Sequence, residues 1–224
     1  MTLNVKISAI IVAAGESQRM DGIDKMFILL GRIPALGRVL DTFQNCKKID
    51  QIVVVMHEKN IEECRQMVAA HRWYKVTDIC LGAKRRQDSV AEGLKRIKKA
   101  DWVVIHDGAR PLVTIDLIER GLEAAKETGV AVAALPVTDT IKVVLPGEIV
   151  RQTLPRQNLR AVQTPQVFRY DIIKNTYKFT PGDYTDDASL VEKAGYKVKL
   201  YMGAYDNIKI TTPDDLAMAE GLLK

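Results

Sequence analysis

Residues 7–20 read Ile7-Ser8-Ala9-Ile10-Ile11-Val12-Ala13-Ala14-Gly15-Glu16-Ser17-Gln18-Arg19-Met20, with Lys25 five residues on. The run Ile7–Val12 is apolar nearly throughout instead of alternating, which predicts a strand covered on both faces, as in a parallel sheet. Small residues follow it at once, and then a polar turn. Lys6 ahead of an apolar run resembles a short signal-peptide core, but Gly15, Glu16, Arg19 and Asp21 make a turn and not a cleavage site. The run is also far short of the ~20 residues of a membrane span. A buried strand is the reading that remains.

Working outward, similar runs recur at Ile52–Met56, Val76–Leu81, Trp102–Ile105 and Val130–Leu135. Between them lie amphipathic stretches at Pro34–Cys46, Ile61–Ala70, Ser89–Ile97 and Ile115–Lys126, and a last one at Leu216–Leu223. Pro34 suits a first helical turn, Asp88 reads as the cap of the helix after it, and Thr114 with Asp116 opens another. Thr212-Pro213-Asp214-Asp215 has the order cap, proline, acid. Strands alternating with helices predict an α/β fold: an open, mostly parallel, Rossmann-like sheet with helices on both faces. In such sheets ligands bind beyond the carboxyl ends of the strands. Thr138–Pro155 breaks the rhythm. Its Pro146-Gly147 suits the centre of a type II turn, so it reads as a protruding β-hairpin that packs on something else, such as a second subunit. With no repeat or linker, residues 1–224 are expected to form one domain carrying an arm at about 138–158.

Composition narrows the partners. The net charge of +5 fits polyanionic substrates, nucleic acid or simply solvated lysines. Aromatics are 6% and do not interleave with Arg and Lys as a stacking platform requires, so neither nucleic acid nor a membrane is expected as a partner. Cys46, Cys64 and Cys80 are an odd count without C-x-x-C spacing, which argues against a disulfide framework or zinc site. A reducing compartment, the cytoplasm, fits.

Ala13-Ala14-Gly15 lets a backbone approach a phosphate chain closely, while Arg19 offers a planar fork and Lys25 a mobile point charge. Neither a Walker loop nor a G-x-G-x-x-G fingerprint is present. His106-Asp107-Gly108-Ala109-Arg110-Pro111 follows a buried strand and places Asp107 at its carboxyl end. There it suits Mg²⁺, a ribose hydroxyl, or the cap of the next helix. His106 reads as a packing and hydrogen-bonding residue. Ser89 suits helix capping, and Lys84 with Arg85 reads as solvated loop.

Ala13–Lys25 resembles the A-A-G-x-G-x-R-M…P-K signature of nucleotidyltransferases for sugar and polyol phosphates. Asp88-Ser89-Val90, His106–Pro111, Pro136–Lys142, Thr164-Pro165-Gln166, Thr185–Ser189 and Asp206–Lys209 are similar to motifs of the 2-C-methyl-D-erythritol 4-phosphate cytidylyltransferases, in order along nearly the whole chain. The resemblance implies Mg²⁺-dependent transfer of CMP from CTP to that polyol phosphate. Ala13, Ala14, Gly15, Gly82, Ala83, Ser89 and Asp107 would bind the nucleotide, Asp107 also holding the metal. Arg19, Lys25, Arg156 and Lys209 would be the catalytic cations. Arg110, Thr140, Arg156, Thr185, Asp206 and Lys209 would bind the acceptor. The resemblance also implies a homodimer whose arm brings Thr140 and Arg156 to the neighbour's site. Ser17 and Asp24 depart from the pattern, standing where glycine and proline are usual. A ribitol 5-phosphate cytidylyltransferase and a non-catalytic nucleotide-binding protein remain the alternatives.

Overall fold

The computed structural model describes residues 5–15 and 25–223. Ser17, Arg19 and Asp24, singled out above, lie outside them. The elements in chain order are β1 (Ile7–Ala13), β2 (Leu29–Leu30), β3 (Ile33–Pro34), α1 (Ala35–Asn45), β4 (Gln51–Met56), α2 (Ile61–His71), β5 (Val76–Leu81), α3 (Arg86–Arg96), β6 (Trp102–Asp107), α4 (Ile115–Thr128), β7 (Val130–Pro136), β8 (Lys142–Leu145), β9 (Ile149–Thr153), β10 (Arg160–Arg169), α5 (Tyr170–Phe179), α6 (Asp187–Lys193), β11 (Lys199–Met202) and α7 (Pro213–Leu222).

Seven strands form the central sheet in the order β11-β7-β10-β6-β1-β4-β5. All neighbouring pairs are parallel except those made by β10, which runs antiparallel to both β6 and β7. The uniform apolarity of the first strand has the expected cause. Ala9 and Ile11 join one buried cluster with Leu40, Phe43, Val54 and Val104, while Ile10 joins another with Val53, Val103, Leu94 and Phe168. Each face of β1 therefore meets its own helical layer.

The sequence had not suggested β10, because a strand interior rarely holds a proline. Here the register shifts between Val162 and Gln166, and Pro165 sits in that irregularity, where no ladder donor is required of it. Three start signals hold in different ways. The Thr114 hydroxyl accepts from Leu117 N–H at 3.2 Å, and Thr212 with Asp215 forms a reciprocal capping box. Pro34 stands at the N-cap of α1, one residue ahead of the first turn. Asp88 is a correction: α3 begins at Arg86 behind Arg85, and Asp88 lies inside its first turn, gripping Arg85 at 2.7 Å. An acid in the first turn suits the helix dipole without capping it.

The hairpin forms as read. Among the described residues β8 and β9 pair only with each other, and Gly147 takes the φ of +83° that the third position of a type II turn demands. Val144, Leu145, Ile149 and Val150 are all exposed on it. No described helix is long and apolar enough to cross a membrane.

Phe43 is fully buried between α1 and the sheet. Phe43→Ala is expected to remove about 3–5 kcal/mol of unfolding free energy, whereas Thr212→Ala should remove about 1. Urea denaturation of both variants measures the contrast, and equal losses would contradict this placement of the core.

Candidate active site

The carboxyl ends of β1, β4, β5 and β6 open onto three adjoining cavities. The first, about 610 Å³, is lined by Ala14, Gly15, His57, Gly82 and Ala83 among others. The second, about 160 Å³, is lined by Ala13, Ala14, Gly15, Lys25, Ser89, Asp107 and Lys209. The third, about 350 Å³, is lined by Arg110, Gln163, Thr185, Val132, Val162 and Leu200. Arg86, Asp107 and Lys209 belong to both the second and the third.

The small residues are there for contact distance. A Cβ on Gly82 would sit 2.2 Å from the Ala14 Cβ and 3.0 Å from the Ser89 hydroxyl, so two loop ends meet at a spacing only glycine permits. Ser89, within α3 instead of at its cap, accepts from the Ala83 N–H at 2.9 Å. Its hydroxyl holds the loop between β5 and α3 against the first turn of α3.

Asp107 ends β6 and is 6% exposed. Its Oδ1 accepts from Arg86 Nε at 3.0 Å, and its Oδ2 meets Lys209 Nζ at 2.8 Å and Arg110 Nε at 4.0 Å. Burial works against its ionisation, but Arg86, then Lys209 and Arg110, outweigh it and hold the carboxyl well below the usual carboxylate range. Lys209 is brought there by stitching: Arg110 Nη1 donates to the Asn207 carbonyl at 2.7 Å, and Ile210 N–H to the Ala109 carbonyl at 2.8 Å. Buried Asn207 in turn donates to the Thr164 carbonyl at 2.8 Å.

His106 has no exposed surface. Its Nε2 lies 3.2 Å from the Arg110 carbonyl, which can only accept, so the proton belongs on Nε2. Nδ1 then accepts from the Thr164 hydroxyl at 3.1 Å, whose oxygen accepts from Asp107 N–H at 3.0 Å. Desolvation by burial is the main reason its pKa falls to about 4. A second proton would also cost the bond from Thr164. The ring is a neutral strut, as its sequence context suggested.

Of the residues singled out from sequence, Ala13, Ala14, Gly15, Gly82, Ala83, Ser89, Lys25, Asp107, Arg110, Thr185 and Lys209 all line these cavities. Thr140, Arg156 and Asp206 are exposed and line none of the three. Arg156 Nη1 donates to the Thr138 carbonyl at 2.6 Å, closing the base of the arm. Arg19 lies outside the described residues. Two residues of the site, Arg86 and Asp187, had no role assigned from sequence. Arg86, next to the two cations read as solvated loop, is half-buried and bridges Asp107 to Asp187 Oδ2 at 2.7 Å. Its neighbours Lys84 and Arg85 are exposed, as expected.

Backbone this open on one side and a carboxylate ringed by cations on the other suit a phosphate chain next to a sugar, and at the strand ends of this sheet they define a nucleotidyltransferase. Comparison with known proteins specifies which kind. The chain belongs to the 2-C-methyl-D-erythritol 4-phosphate cytidylyltransferase family, IspD, whose model matches residues 7–224. A 2-C-methyl-D-erythritol 4-phosphate cytidylyltransferase of Dehalococcoides mccartyi (strain CBDB1) is 52% identical, over 100% of this chain and 99% of its own. That of Clostridium novyi (strain NT) is 44% identical, over 98% and 97%. Among solved structures, 4-diphosphocytidyl-2C-methyl-D-erythritol synthase from Anaerococcus prevotii matches with a TM-score of 0.86 at 30% identity, covering 99% of both chains. The Thermus thermophilus cytidylyltransferase matches with a TM-score of 0.78 at 32% identity, covering 97% of this chain and 98% of its own.

With the folded pKa of His106 at about 4 against 6.5 for the free side chain, the unfolded chain takes up a proton between those values that the folded chain refuses. Stability is therefore lost as pH falls through that window, by on the order of 2–3 kcal/mol. Urea denaturation in EDTA at pH 7 and pH 4.5 should show most of this loss in the wild type and much less in His106→Gln. An identical pH dependence would assign the loss to other groups.

Proposed function

We propose that this protein transfers CMP from CTP to 2-C-methyl-D-erythritol 4-phosphate and releases pyrophosphate, in the non-mevalonate route to isoprenoid precursors. The observation that carries the reading is Asp107, whose cluster with Arg86 and Lys209 forms the shared wall of two cavities. A nucleotide at the small-residue side and an acceptor at the Arg110–Thr185 side would meet at that wall. The acceptor cavity adds an apolar side, Val132, Val162 and Leu200, which suits a methyl-bearing polyol better than an unbranched alditol. Gly82, Ala83 and Ser89 would read the cytosine edge through backbone groups and a hydroxyl. A wrong base then leaves buried groups unpaired, which discriminates strongly.

The attacking group is an oxygen of the acceptor's phosphate, in line with the α-phosphorus, and the bond to the β-phosphate breaks to free pyrophosphate. A phosphate monoester carries about −1.5 to −2 charge near pH 7 and is already nucleophilic, so no general base is required. His106, neutral and tied at both nitrogens, fits that absence. The difficulty is the mutual repulsion of roughly −6 of substrate charge, to which pre-placed cations are the answer. Lys25, with Arg19, would face the α-phosphoryl group; Lys209, Arg110 and Arg156 would face the acceptor.

Mg²⁺ is the proposed cofactor, and the donor set fits it. Asp107 is a deprotonated hard oxygen donor, and no group of three or more His, Cys, Asp or Glu among the described residues forms a cage for a softer or more fully protein-bound metal. Mg²⁺ characteristically takes one or two carboxylates and completes its shell with water and triphosphate oxygens. Held by Asp107, it would neutralise phosphate charge. The arm supports a homodimer. Its apolar residues are exposed, and Thr140 and Arg156 stand apart from their own chain's cavities, as residues completing a neighbour's site would. Cys46, Cys64 and Cys80 are buried and free, which fits the cytoplasm.

Pyrophosphate release with CTP and Mg²⁺ should be fast with 2-C-methyl-D-erythritol 4-phosphate, and slow with ribitol 5-phosphate, without acceptor, or with ATP. Preference for ribitol 5-phosphate would keep the chemistry and overturn the substrate. Lys25→Ala should lower kcat at least a hundredfold while CTP binding weakens far less; near-normal turnover would remove Lys25 from the transition state. Arg156→Ala should raise the acceptor KM, and mixing it with Lys25→Ala should restore part of the activity through hybrid dimers. A mixture no more active than its components would refute the shared site.

A further inference from the structure

One polar side chain on the third cavity has nothing left to offer a ligand. Gln163, on β10, lines that cavity and is 8% exposed. A glutamine amide carries two N–H donors and an oxygen with two lone pairs. Here all four are engaged within the protein. Nε2 donates to the Ala204 carbonyl at 3.0 Å and to the Asn207 carbonyl at 3.4 Å. Oε1 accepts from the Ala204 N–H at 3.2 Å and from Asn207 Nδ2 at 3.3 Å. A side chain saturated in this way serves the loop it holds and not the substrate.

That loop delivers Lys209. The register of β10 with β7 shifts between Val162 and Gln166, so the ladder is interrupted where Gln163 stands. Its amide does the pairing instead, meeting both backbone groups of Ala204 as a neighbouring strand would. Gly203 permits the approach: its N–H is tied to the Ala134 carbonyl at 2.9 Å, and a Cβ on it would lie 2.5 Å from Gln163 Oε1. Buried Asn207 is fixed further, donating to the Thr164 carbonyl at 2.8 Å and accepting Arg110 Nη1 on its own carbonyl at 2.7 Å. Ile210 N–H bonds the Ala109 carbonyl at 2.8 Å. Lys209 stands between these two anchors, with Nζ 2.8 Å from Asp107 Oδ2. Its side chain is 39% exposed on a flexible stem, so the direction of the ammonium depends on where its backbone is held.

We propose that Gln163 is a positioning residue for the transfer: with its amide saturated on Ala204 and Asn207, it fixes the backbone from which Lys209 reaches the wall shared by the two cavities. The inference rests on the reading of Lys209 as a cation facing the acceptor, given above. The contribution of Gln163 to the reaction therefore runs through Lys209. Once the Lys209 ammonium is gone, the exact course of the loop no longer matters to the acceptor.

The test is a double-mutant cycle on pyrophosphate release, with thermal melts of each variant. Gln163→Met keeps the length of the side chain and removes its four bonds. It should lower kcat/KM for 2-C-methyl-D-erythritol 4-phosphate about tenfold, and less than about twofold when Lys209 is already alanine. The KM for CTP should stay within about twofold, because Gln163 lines only the third of the three cavities. A merely structural role predicts the same factor in both backgrounds, or a KM for CTP that rises with the acceptor defect, and either result overturns the proposal. So does Gln163→Met with wild-type kinetics. Gly203→Ala displaces the amide without removing it and carries the same expectations, so it decides alone where Gln163→Met does not fold. If neither variant folds, the amide is a folding element only and the proposal falls. Lys209→Ala with near-normal turnover would instead overturn the reading of Lys209 itself, and this inference with it.

Discussion

A carboxylate at the end of a buried central strand cannot stand alone. Asp107 is 6% exposed, and ionised only because cations surround it. No one segment supplies them: Arg86 comes from the helix after β5, Arg110 from the turn after β6 itself, and Lys209 from the loop near the carboxyl terminus. Meeting the charge of Asp107 therefore forces α3 and the Asn207–Ile210 loop to converge on one strand end. The hydrogen bonds that fix this convergence, Arg110 to Asn207 and Asn207 to Thr164, are themselves buried or half-buried. The same ionic cluster that closes the fold at this edge presents cations to both cavities. Here the requirement of folding and the requirement of phosphate chemistry are one arrangement.

How much of this the sequence disclosed follows from the range of the interactions. Strands β1, β4, β6 and β7 were legible because burial on both faces leaves an apolar run in contiguous residues; β5, at the sheet edge, carries Thr77 and Asp78 and is buried only at Cys80. β10 was not legible. Its apolar pairs Ala161-Val162 and Val167-Phe168 are split by Gln163, Thr164 and Gln166 around Pro165, and its placement between β6 and β7 depends on an antiparallel crossover that no local pattern encodes. The caps at Thr114 and Thr212 were legible because capping is a bond across three residues. Asp88 misled because an acid near a helix start serves as well in the first turn as at the cap.

The site divides along the same line. Asp107 and the small residues of β1 were visible as strand-end residues, and the motif resemblance picked out Lys209 and Thr185. Arg86 was left apart when Lys84 and Arg85 were read as solvated loop, but nothing in the run itself shows what an inward-turned cation would meet. Its partner Asp187 lies 101 positions away. Such pairs leave no spacing to read. A signal did exist in the Thr185–Ser189 motif, where Asp187 follows a second acid, but only the fold separates them: Asp186 caps α6 while Asp187 points to Arg86.

Acid–base chemistry offers the sharpest contrast with this arrangement. An enzyme that must move protons holds a group whose pKa lies near its working pH. Here the groups at the centre are driven the other way. Asp107 is pressed further into its charged form by its neighbours, and His106 further into its neutral form by burial. Arg86 is held protonated by Asp187 and Asp107 against the cost of burial. These three groups at the strand end are thus locked in one state across the physiological range. Groups so held present a fixed pattern of charge, which is what a reaction between two polyanions requires.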